Sequence, residues 1–506
     1  MDYLPAIGIV ASIIFLISKI LQICRILIWR PYALTKHFKK QGIVGPPCSI
    51  LYGSLHEVKK LNMAARQTVL DANSHDITPR VLPHYHKWSS LYGETFLYWF
   101  GMQPRICISD PEFAKQILSN KFGFYVKPSL RPSVQTLVGN KGLVLISGLD
   151  WVKHRRNINP AFSPDKLKVM VKRMTACTIS KLDEWKNQVV AAEDHCHSIE
   201  MNGEFKELTA DIIAHTAFGS SYAQGREVFE AQEELQKYCA ATHTDIFIPG
   251  SQYLPTSLNF QIWKLDKKVK TSLKCIIESR LNSKATGSSC EVDDLLGLML
   301  EASESDGKPK LNVNEIIEEC KTFFFAGHET SSNLLTWTVL RQEVLKECGM
   351  GIPDADMLTK LKLVNMVLLE ALMIYGPVIE LFRQATKDMK LGDVMIPKGT
   401  CISIPFVKIH RRKEYWGEDV NKFKPMRFIN GISKAAEHPN ALLAFSLGPR
   451  ACIGQNFAML EAKSVIVLIL QRFSLCLSPE YKHAPVELLT LQPQHGLPII
   501  VKPLHL

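Results

Sequence analysis

An apolar segment near the N-terminus, residues 4–28, is long enough to cross a lipid bilayer. A membrane-spanning helix needs about 20 predominantly apolar residues, and cations near its end can reach the interface. Asp2 precedes the segment, whereas the positive charges come later, at Lys19, Arg25, Arg30, Lys36, Lys39 and Lys40. A cleaved secretion signal would carry its positive charge first. The pattern therefore predicts a single-pass anchor with the following chain in the cytosol; the alternative is a buried amphipathic helix.

The rest of the chain divides simply. Pro31 is predicted to end the anchor helix, because proline lacks the N–H that a helix interior needs. Gly45-Pro46-Pro47 then predicts a stiff turn. No second linker, repeat or low-complexity tract follows. We therefore expect an anchor over residues 1–30, a basic and proline-rich linker over 31–50, and one large domain over 51–506.

The large domain is predicted to be mostly α, with a small β region. Helical periodicity extends over 314–340 and 458–473. Short runs of β-branched and aromatic residues, which favour strands, occupy 96–100, 105–108 and 395–402.

Charge and cysteine content exclude some classes of function. The formal net charge of +11 suits a protein at an anionic membrane face or beside an acidic partner. No Lys/Arg block dominates and no nucleic-acid motif occurs, so we expect no nucleic-acid partner. The 13 cysteines are odd in number and lack paired spacing. This favours a reducing compartment over a disulfide framework.

The most informative segment is 445–454, with the sequence FSLGPRACIG. A thiolate at Cys452 can ligate a haem iron and push electron density toward its opposite face. Gly448 and Gly454 allow the backbone to approach a porphyrin and direct amides at the sulfur. Phe445 can cover the sulfur, and Arg450 can pair with a haem propionate. The alternative is a structural cysteine in a glycine-rich turn, which would leave these partners and their spacing unexplained.

A second segment, 323–330 with the sequence FFFAGHET, lies inside the predicted helix. A glycine there costs about 1 kcal/mol relative to alanine, so the small pair Ala326 and Gly327 indicates a need for space beside the helix. Thr330 can donate to a carbonyl one turn earlier and open the helix locally. Glu329 can relay protons from solvent. A Glu-Thr pair alone would indicate a solvated face, but its position upstream of Cys452 favours catalytic roles for both.

Three further residues are candidates for holding the cofactor. Trp151 and Arg155 lie one predicted helical turn apart on one face, and Arg383 follows a turn at Gly376-Pro377. Each can donate to a propionate, although each alone is more typical of packing or of a surface ion pair.

An apolar substrate pocket is the remaining site prediction. We expect Phe325, Val378 and Ile379 to line it, where by sequence they cannot be distinguished from ordinary core residues.

Over its whole length the sequence resembles the cytochrome P450 family, and more narrowly the plant microsomal members of the clan that oxidises hormones, fatty acids and terpenoids. The similarity is carried by 29–31, 37–43, 45–47, 325–330 and 445–454. It implies a P450 fold, haem b bound through Cys452, and a monooxygenase that inserts one atom of O2 into a small lipophilic substrate. It also implies residence in the endoplasmic reticulum membrane and electrons from NADPH-cytochrome P450 reductase. The chain has no glycine-rich nucleotide fingerprint of its own, which agrees with an external donor.

Two departures from the family's pattern suggest an alternative. The family's Glu-x-x-Arg motif reads Glu370-Ala371-Leu372-Met373 here, which leaves a Glu370–Arg427 pair as the structural contact. The chain is also about a dozen residues short near Leu340 and Glu343, roughly three helical turns. These features predict a haem-poor or catalytically impaired protein that gains haem on Met373→Arg. A haem-based gas sensor is a further alternative.

Overall fold

The structure is a computed structural model that describes residues 3–120, 123–192, 196–219, 222–285, 294–304, 310–339 and 353–504. Helices form most of it. In chain order the α-helices are α1 (Tyr3–Cys24), α2 (Arg30–Lys39), α3 (Leu55–Arg66), α4 (Thr78–Val81), α5 (Pro83–Tyr92), α6 (Pro111–Leu118), α7 (Pro132–Val138), α8 (Gly148–Ile158), α9 (Pro164–Ala191), α10 (Met201–Phe218), α11 (Tyr222–Thr242), α12 (Ser257–Ala285), α13 (Leu295–Glu304), α14 (Val313–Val339), α15 (Ala355–Lys360), α16 (Lys362–Tyr375), α17 (Phe406–Ile409), α18 (Lys413–Trp416) and α19 (Gln455–Arg472).

Twelve short strands lie among the helices of the described part. They are β1 (Leu97–Phe100), β2 (Gln103–Cys107), β3 (Tyr125–Val126), β4 (His197–Glu200), β5 (Glu380–Ala385), β6 (Met389–Leu391), β7 (Val394–Ile396), β8 (Cys401–Pro405), β9 (Phe473–Leu477), β10 (Pro485–Glu487), β11 (Leu491–Pro493) and β12 (Pro498–Pro503).

The largest sheet is mixed and has the order β1-β2-β8-β5-β3, in which β2 and β8 are parallel. Smaller sheets pair β4-β12-β9, β10-β11 and β6-β7. The strand predicted over 395–402 is two strands, β7 and β8. Between them Pro397 lacks a ladder donor and Gly399 has a φ of +80°, so the chain turns there.

The N-terminal helix continues past Pro31, where the sequence predicted its end. A π-helical turn, Arg25–Trp29, joins α1 to α2, and the Arg30 N–H donates to the carbonyl of Arg25. Pro31 then falls in the first turn of α2, where its missing N–H is tolerated. In the described chain, Gly8–Lys39 is the one helical stretch long and apolar enough to cross a membrane. Its mean hydropathy is 2.0, and its apolar window has no buried residue.

The end of this long helix is docked on the large domain. Phe38 is fully buried in a core cluster that also contains Leu97, beneath the large sheet. The Gln41 side chain donates to the main-chain oxygen of Met395 over 3.2 Å. A Cβ on Gly45 would overlap the Leu97 carbonyl, so glycine is required where the Gly-Pro-Pro turn crosses β1. The predicted linker is therefore packed in place.

Helix α14 runs through the core and is buried along most of its length. Phe324 stacks on Phe218 of α10, with ring centroids 4.1 Å apart, and Trp337 stacks on Tyr375 of α16 at 4.7 Å. The helix also carries hydroxyl groups, and some are satisfied within it; Thr336 and Thr338 each donate to the carbonyl four residues earlier. Through these contacts α14 packs against α10 and α16, and it also packs against α19.

Candidate functional site

Cys452 lies in the tight loop that precedes α19. Its N–H donates to the Phe445 carbonyl over 2.9 Å, which closes the loop. Ser446 and Gly448 both have positive φ, at +61° and +73°. A Cβ on Gly448 would lie 2.6 Å from the main-chain oxygen of Leu118 at the end of α6, so only glycine fits. The loop therefore has one strained and one glycine-dependent position that fix the approach to Cys452.

The Cys452 thiol is surrounded by protein atoms on most sides, yet the residue keeps accessible surface. It therefore faces a space inside the molecule. Burial raises the pKa of the thiol, while the Gly454 backbone N–H and the Arg155 guanidinium act in the opposite direction. Gly454 thus directs its backbone N–H at the sulfur. A cation bound at the sulfur would favour the thiolate, the form that ligates metal.

A group of cations adjoins this loop. Arg450 lies over the Trp151 ring at 4.9 Å and donates to Ser147 Oγ over 3.2 Å. Burial and the nearby charge of Arg383 together lower the pKa of Arg450 to about 10. Arg383 is itself buried, and burial lowers its pKa to about 10. The two predicted propionate ligands therefore lie close enough to repel each other.

Lys127 is a third member that sequence reasoning missed. Burial holds its pKa well below the ordinary lysine range, and the charges of Arg383 and Arg450 add to the effect. Nothing in the sequence singles out this lysine, because it becomes significant only when the fold brings it to the arginines. Within the described ranges, no carboxylate forms an ion pair with any of the three.

These residues fit haem. A buried cluster of cations without an anion is costly unless an anionic group neutralises it, and haem carries two propionates. Arg155 acts differently from the others, since it donates to the main-chain oxygen of Ala451 over 3.2 Å and braces the cysteine loop.

Between Ile316 and Val339, a stretch that the structure describes throughout, helix α14 is open only at Ala326, Gly327 and Thr330. The Thr330 hydroxyl donates to the Ala326 carbonyl over 2.7 Å, as expected. The helix nevertheless continues unbroken. Gly327 has a packing reason that the sequence did not reveal: a Cβ there would lie 2.7 Å from Cδ1 of Ile213, so the glycine lets α10 approach.

Glu329 is buried and its Oε1 accepts several hydrogen bonds. Thr490 Oγ1 donates over 2.7 Å and Gln236 over 3.2 Å; the amides of Asn333 and Gln492 also donate. Burial would raise the pKa of this carboxyl, but Lys206, His328 and these donors outweigh burial and hold the pKa below its ordinary value. Glu329 is therefore an ionised carboxylate in a polar cluster.

This polar cluster reaches the surface. Lys206 donates to Oε1 of Gln492 over 3.4 Å. Gln236 and Gln492, both donors to Glu329, line a surface cavity of about 250 Å³ together with Lys206. Solvent therefore approaches Glu329 to within one layer of side chains.

The Glu370–Arg427 pair is formed. Arg427 Nε donates to Oε2 of Glu370 over 2.8 Å, and the Lys424 N–H donates to Oε1 over 2.8 Å. Met373 is fully buried in the main apolar core. Burial raises the pKa of Glu370, and Arg427 acts against this. The carboxylate thus has a charged partner, and nothing in the described residues supports the impaired or haem-poor alternative.

A second arginine joins the same two elements. Arg411 donates to the carbonyl of Ile374, at the end of α16, over 3.1 Å. It also donates to the carbonyl of Val420, in the segment before Arg427, over 3.2 Å. Arg411 therefore links α16 to this segment by hydrogen bonds that do not involve Met373.

The remaining predictions concern substrate contacts and the shortened segment. Phe325 and Ile379 are buried in the main core, and Val378 is half-buried against the second core cluster. Their role as pocket lining stays a prediction. The shortened segment near Leu340 and Glu343 lies outside the described residues.

Comparison with known proteins agrees with this geometry. The family model described as Cytochrome P450 matches residues 76–497. The chain is 54% identical over 513 residues to "Cytochrome P450 709B3" of Arabidopsis thaliana, with 98% of each chain covered. It is 39% identical over 490 residues to "Cytokinin hydroxylase" of the same plant, with 94% of each covered.

A solved structure titled "Retinoic acid bound cyanobacterial CYP120A1" shares the fold, with a TM-score of 0.72, 23% identity and coverage of 86% of this chain and 98% of that one. The predicted family, the predicted α-rich fold and the predicted haem cofactor are confirmed. The chain therefore belongs to the cytochrome P450 family and is a haem b-dependent oxidoreductase.

Proposed function

We propose that this protein is a membrane-anchored monooxygenase that inserts one oxygen atom of O2 into a small lipophilic substrate. The observation that carries the proposal is one arrangement: an enclosed but open thiol at Cys452, an uncompensated cation cluster beside it, and an open face on α14. Bound haem supplies the redox chemistry that splits dioxygen.

The chain's own residues hold the haem and set its surroundings. Cys452 is proposed to hold the haem through its thiolate, with the Gly454 amide directed at its sulfur. Arg450, Arg383 and Trp151 are proposed to bind the propionates, where desolvated ion pairs and hydrogen bonds are strong. Arg155 fixes the loop through Ala451. Phe445 and Gly448 give the loop its closed shape.

Proton delivery is proposed to involve Thr330 and Glu329. Thr330 offers a hydroxyl on the open face of α14, and its bond to Ala326 orients that hydroxyl. Glu329, one residue earlier, is charged. It accepts a hydrogen bond from Gln492, which lines a surface cavity. It is therefore positioned to accept a proton from solvent and pass it toward Thr330.

The electron donor and the substrate are proposed from the family and its named relatives. Electrons would come from NADPH-cytochrome P450 reductase. Relatives include "Cytokinin hydroxylase" and "Secologanin synthase 1", the latter 38% identical over 503 residues. Both names indicate small molecules, and we propose a small lipophilic substrate bounded by Phe325, Val378 and Ile379.

The protein is proposed to reside in the endoplasmic reticulum membrane with its body in the cytosol. The apolar run and the cations after it support this orientation. We propose residues 1–30 as the anchor, 31–50 as a linker docked on the body, and 51–506 as the haem domain.

The test uses full chain purified in detergent, with Cys452→Ala and, as matched control, Cys476→Ala, which removes an exposed cysteine of β9. We expect haem in the parent and control, and a red-shifted Soret band in the reduced carbon-monoxide complex that Cys452→Ala abolishes. With added reductase, NADPH and O2, a panel of fatty acids, terpenoids and hormones should include a compound that gains oxygen.

Two outcomes would contradict the proposal. Survival of the red-shifted band in Cys452→Ala would exclude this ligand. Stoichiometric haem without NADPH consumption or product across the panel would favour the gas-sensor alternative.

A further inference from the structure

A cavity of about 620 Å³ lies beside the loop that carries Cys452. Residues of α9, α15, α16 and α19 line it, together with Phe445 and part of the segment 428–432. Its described lining includes neither Cys452 nor a member of the cation group near that cysteine, and no residue of α14. The cavity is therefore distinct from the proposed haem site.

Large apolar side chains form much of the cavity wall, namely Leu167, Leu369, Phe428, Phe445, Met459 and Leu460. The side-chain amides of Asn365, Gln455 and Asn456 also line it, and none of these three makes a side-chain hydrogen bond to a described residue. Cavities of about 300–1,000 Å³ with apolar walls and a few polar groups are typical of small-molecule sites. The wall therefore suits a ligand with an apolar body and a polar head.

Lys463 supplies a buried positive charge in this cavity. It lies on α19 one turn after Met459 and Leu460, hence on the same face of the helix, and it is only 8% exposed. Within the part of the chain that the structure describes, no carboxylate and no other acceptor pairs with its ammonium group. Burial lowers the pKa of Lys463. Because a buried charge without a partner is costly, an anion in the cavity is favoured.

The other charged groups of the cavity neutralise each other. Lys168 of α9 and Asp356 of α15 form an ion pair of 3.1 Å, and their side chains are 55% and 71% exposed. Asp356 is the single acid in the described lining. The cavity thus has one uncompensated positive charge, which one carboxylate would balance and a phosphate dianion would exceed.

We propose that this cavity binds a small carboxylic acid with an apolar chain, whose carboxylate pairs with Lys463 while its chain packs on the apolar wall. A hydrogen bond between an ammonium group and a carboxylate is about twice as strong as one between neutral groups. The site goes beyond the proposed function, since its occupant is not the oxidised substrate. The Phe445 carbonyl accepts from the Cys452 N–H over 2.9 Å, so the occupant adjoins the loop that holds the cysteine.

The experiment uses haem-loaded full chain in lipid nanodiscs, with octanoate as the probe. Binding is measured by calorimetry against empty nanodiscs, with and without saturating clotrimazole, an azole that blocks the substrate space at the haem. Octan-1-ol lacks the charge of the probe, and inorganic phosphate lacks its chain. Affinity for the reductase is measured on the same proteins.

Three variants separate the charge from the fold. Lys463→Met removes the charge, Lys463→Arg keeps it, and the matched control Lys360→Met removes an exposed lysine of α15 outside the cavity lining. Equal haem content identifies the variants that remain folded. We expect Lys463→Met to fold, because it removes an uncompensated buried charge.

We expect one octanoate per chain in the parent, in Lys463→Arg and in Lys360→Met, with or without the azole. Lys463→Met should bind octanoate at least about tenfold more weakly, since a hydrogen bond to a charged group contributes about 1.5–3 kcal/mol. Octan-1-ol and phosphate should bind the parent more weakly than octanoate does. Saturating octanoate should raise the Tm of the parent and leave that of Lys463→Met unchanged.

Three outcomes would overturn the proposal. Equal octanoate affinity in the parent and Lys463→Met would exclude the lysine as the partner of the carboxylate. Displacement of octanoate by clotrimazole would place the probe at the haem. Absence of saturable octanoate binding, with reductase affinity lowered by Lys463→Met, would assign the cavity to an acidic side chain of a protein partner.

Discussion

Replacing Arg427 by methionine tests whether the Glu370–Arg427 ion pair stabilises this chain in the absence of the family's motif arginine. Glu370 is 0% exposed and Arg427 only 5% exposed, so their ion pair is buried. Removing one partner of such a pair leaves an uncompensated charge, at a cost of about 3–5 kcal/mol. A domain has only about 5–15 kcal/mol of stability. Since Met373 supplies no second cation, we expect Arg427→Met to lower Tm strongly and to lower haem per polypeptide.

The cost should depend on pH in a specified direction. Burial already raises the pKa of Glu370, and loss of Arg427 should raise it further. Where the folded variant keeps a proton that its unfolded state has released, stability falls as pH rises. The deficit of Arg427→Met should therefore shrink as pH falls toward the ordinary carboxyl range. Adding Glu370→Gln should remove this pH dependence.

A second substitution tests whether an arginine at position 373 can pair with Glu370 in place of Arg427. Met373 lies three residues after Glu370 on α16, hence on the same face. In the Arg427→Met background, Met373→Arg should return about 1–2 kcal/mol, the coupling typical of residues in contact. In the otherwise unchanged chain, we expect Met373→Arg to leave haem content unchanged because Glu370 is already paired. The sequence alone predicted a gain.

The assays are haem per polypeptide, the carbon-monoxide spectrum and thermal unfolding by circular dichroism, all on full chain in detergent. Arg472→Met is the matched control, since its ion pair with Asp183 is exposed and worth about 0–1 kcal/mol. An Arg427→Met variant as stable as this control would refute the reasoning. A clear gain of haem on Met373→Arg alone would show that the protein is haem-poor.

Three further predictions follow from the same structure. Thr330→Ala should retain haem but lower product per NADPH, since general acid–base relays contribute about 10²–10⁴-fold; unchanged coupling would place the relay elsewhere. Burial raises the pKa of Glu461 to about 8. Its folded state therefore keeps a proton that the unfolded state loses, and stability should fall by about 1.4 kcal/mol per pH unit up to about pH 8. Glu461→Gln should abolish this slope in unfolding measurements, and persistence of the slope would exclude Glu461 as its source. Protease added outside intact microsomes should digest the body; protection until detergent is added would contradict the cytosolic orientation.

The sequence predicted those features that depend on interactions between residues close together in the chain. Helix α14 was expected over 314–340 and is observed at Val313–Val339, because its apolar periodicity is set by its own residues. The Thr330–Ala326 hydrogen bond was likewise predictable from a spacing of four residues. The continuation past Pro31 was not, since a π-turn changes the hydrogen-bond register just before it.

Features that depend on distant contacts were missed or explained differently. Lys127 gains significance only from Arg383 and Arg450, which come from separate parts of the chain. The sequence predicted only a need for space beside Gly327, whereas Ile213, more than 100 residues earlier, accounts for the glycine by helix packing. Neither partner can be read from the local pattern.

At Glu329, the sequence and the structure support different functional interpretations. From sequence, Glu329 is an acid beside the alcohol Thr330 and is expected to relay protons from solvent. In the structure, the carboxylate has a lowered pKa and hydrogen bonds from Thr490, Gln236 and other donors, so it is charged and held in place. We propose that this charged, fixed carboxylate accepts protons on the solvent side. We propose that Thr330, on the open face of α14, delivers the proton, so that losing the alcohol should uncouple turnover while losing the acid should slow resupply.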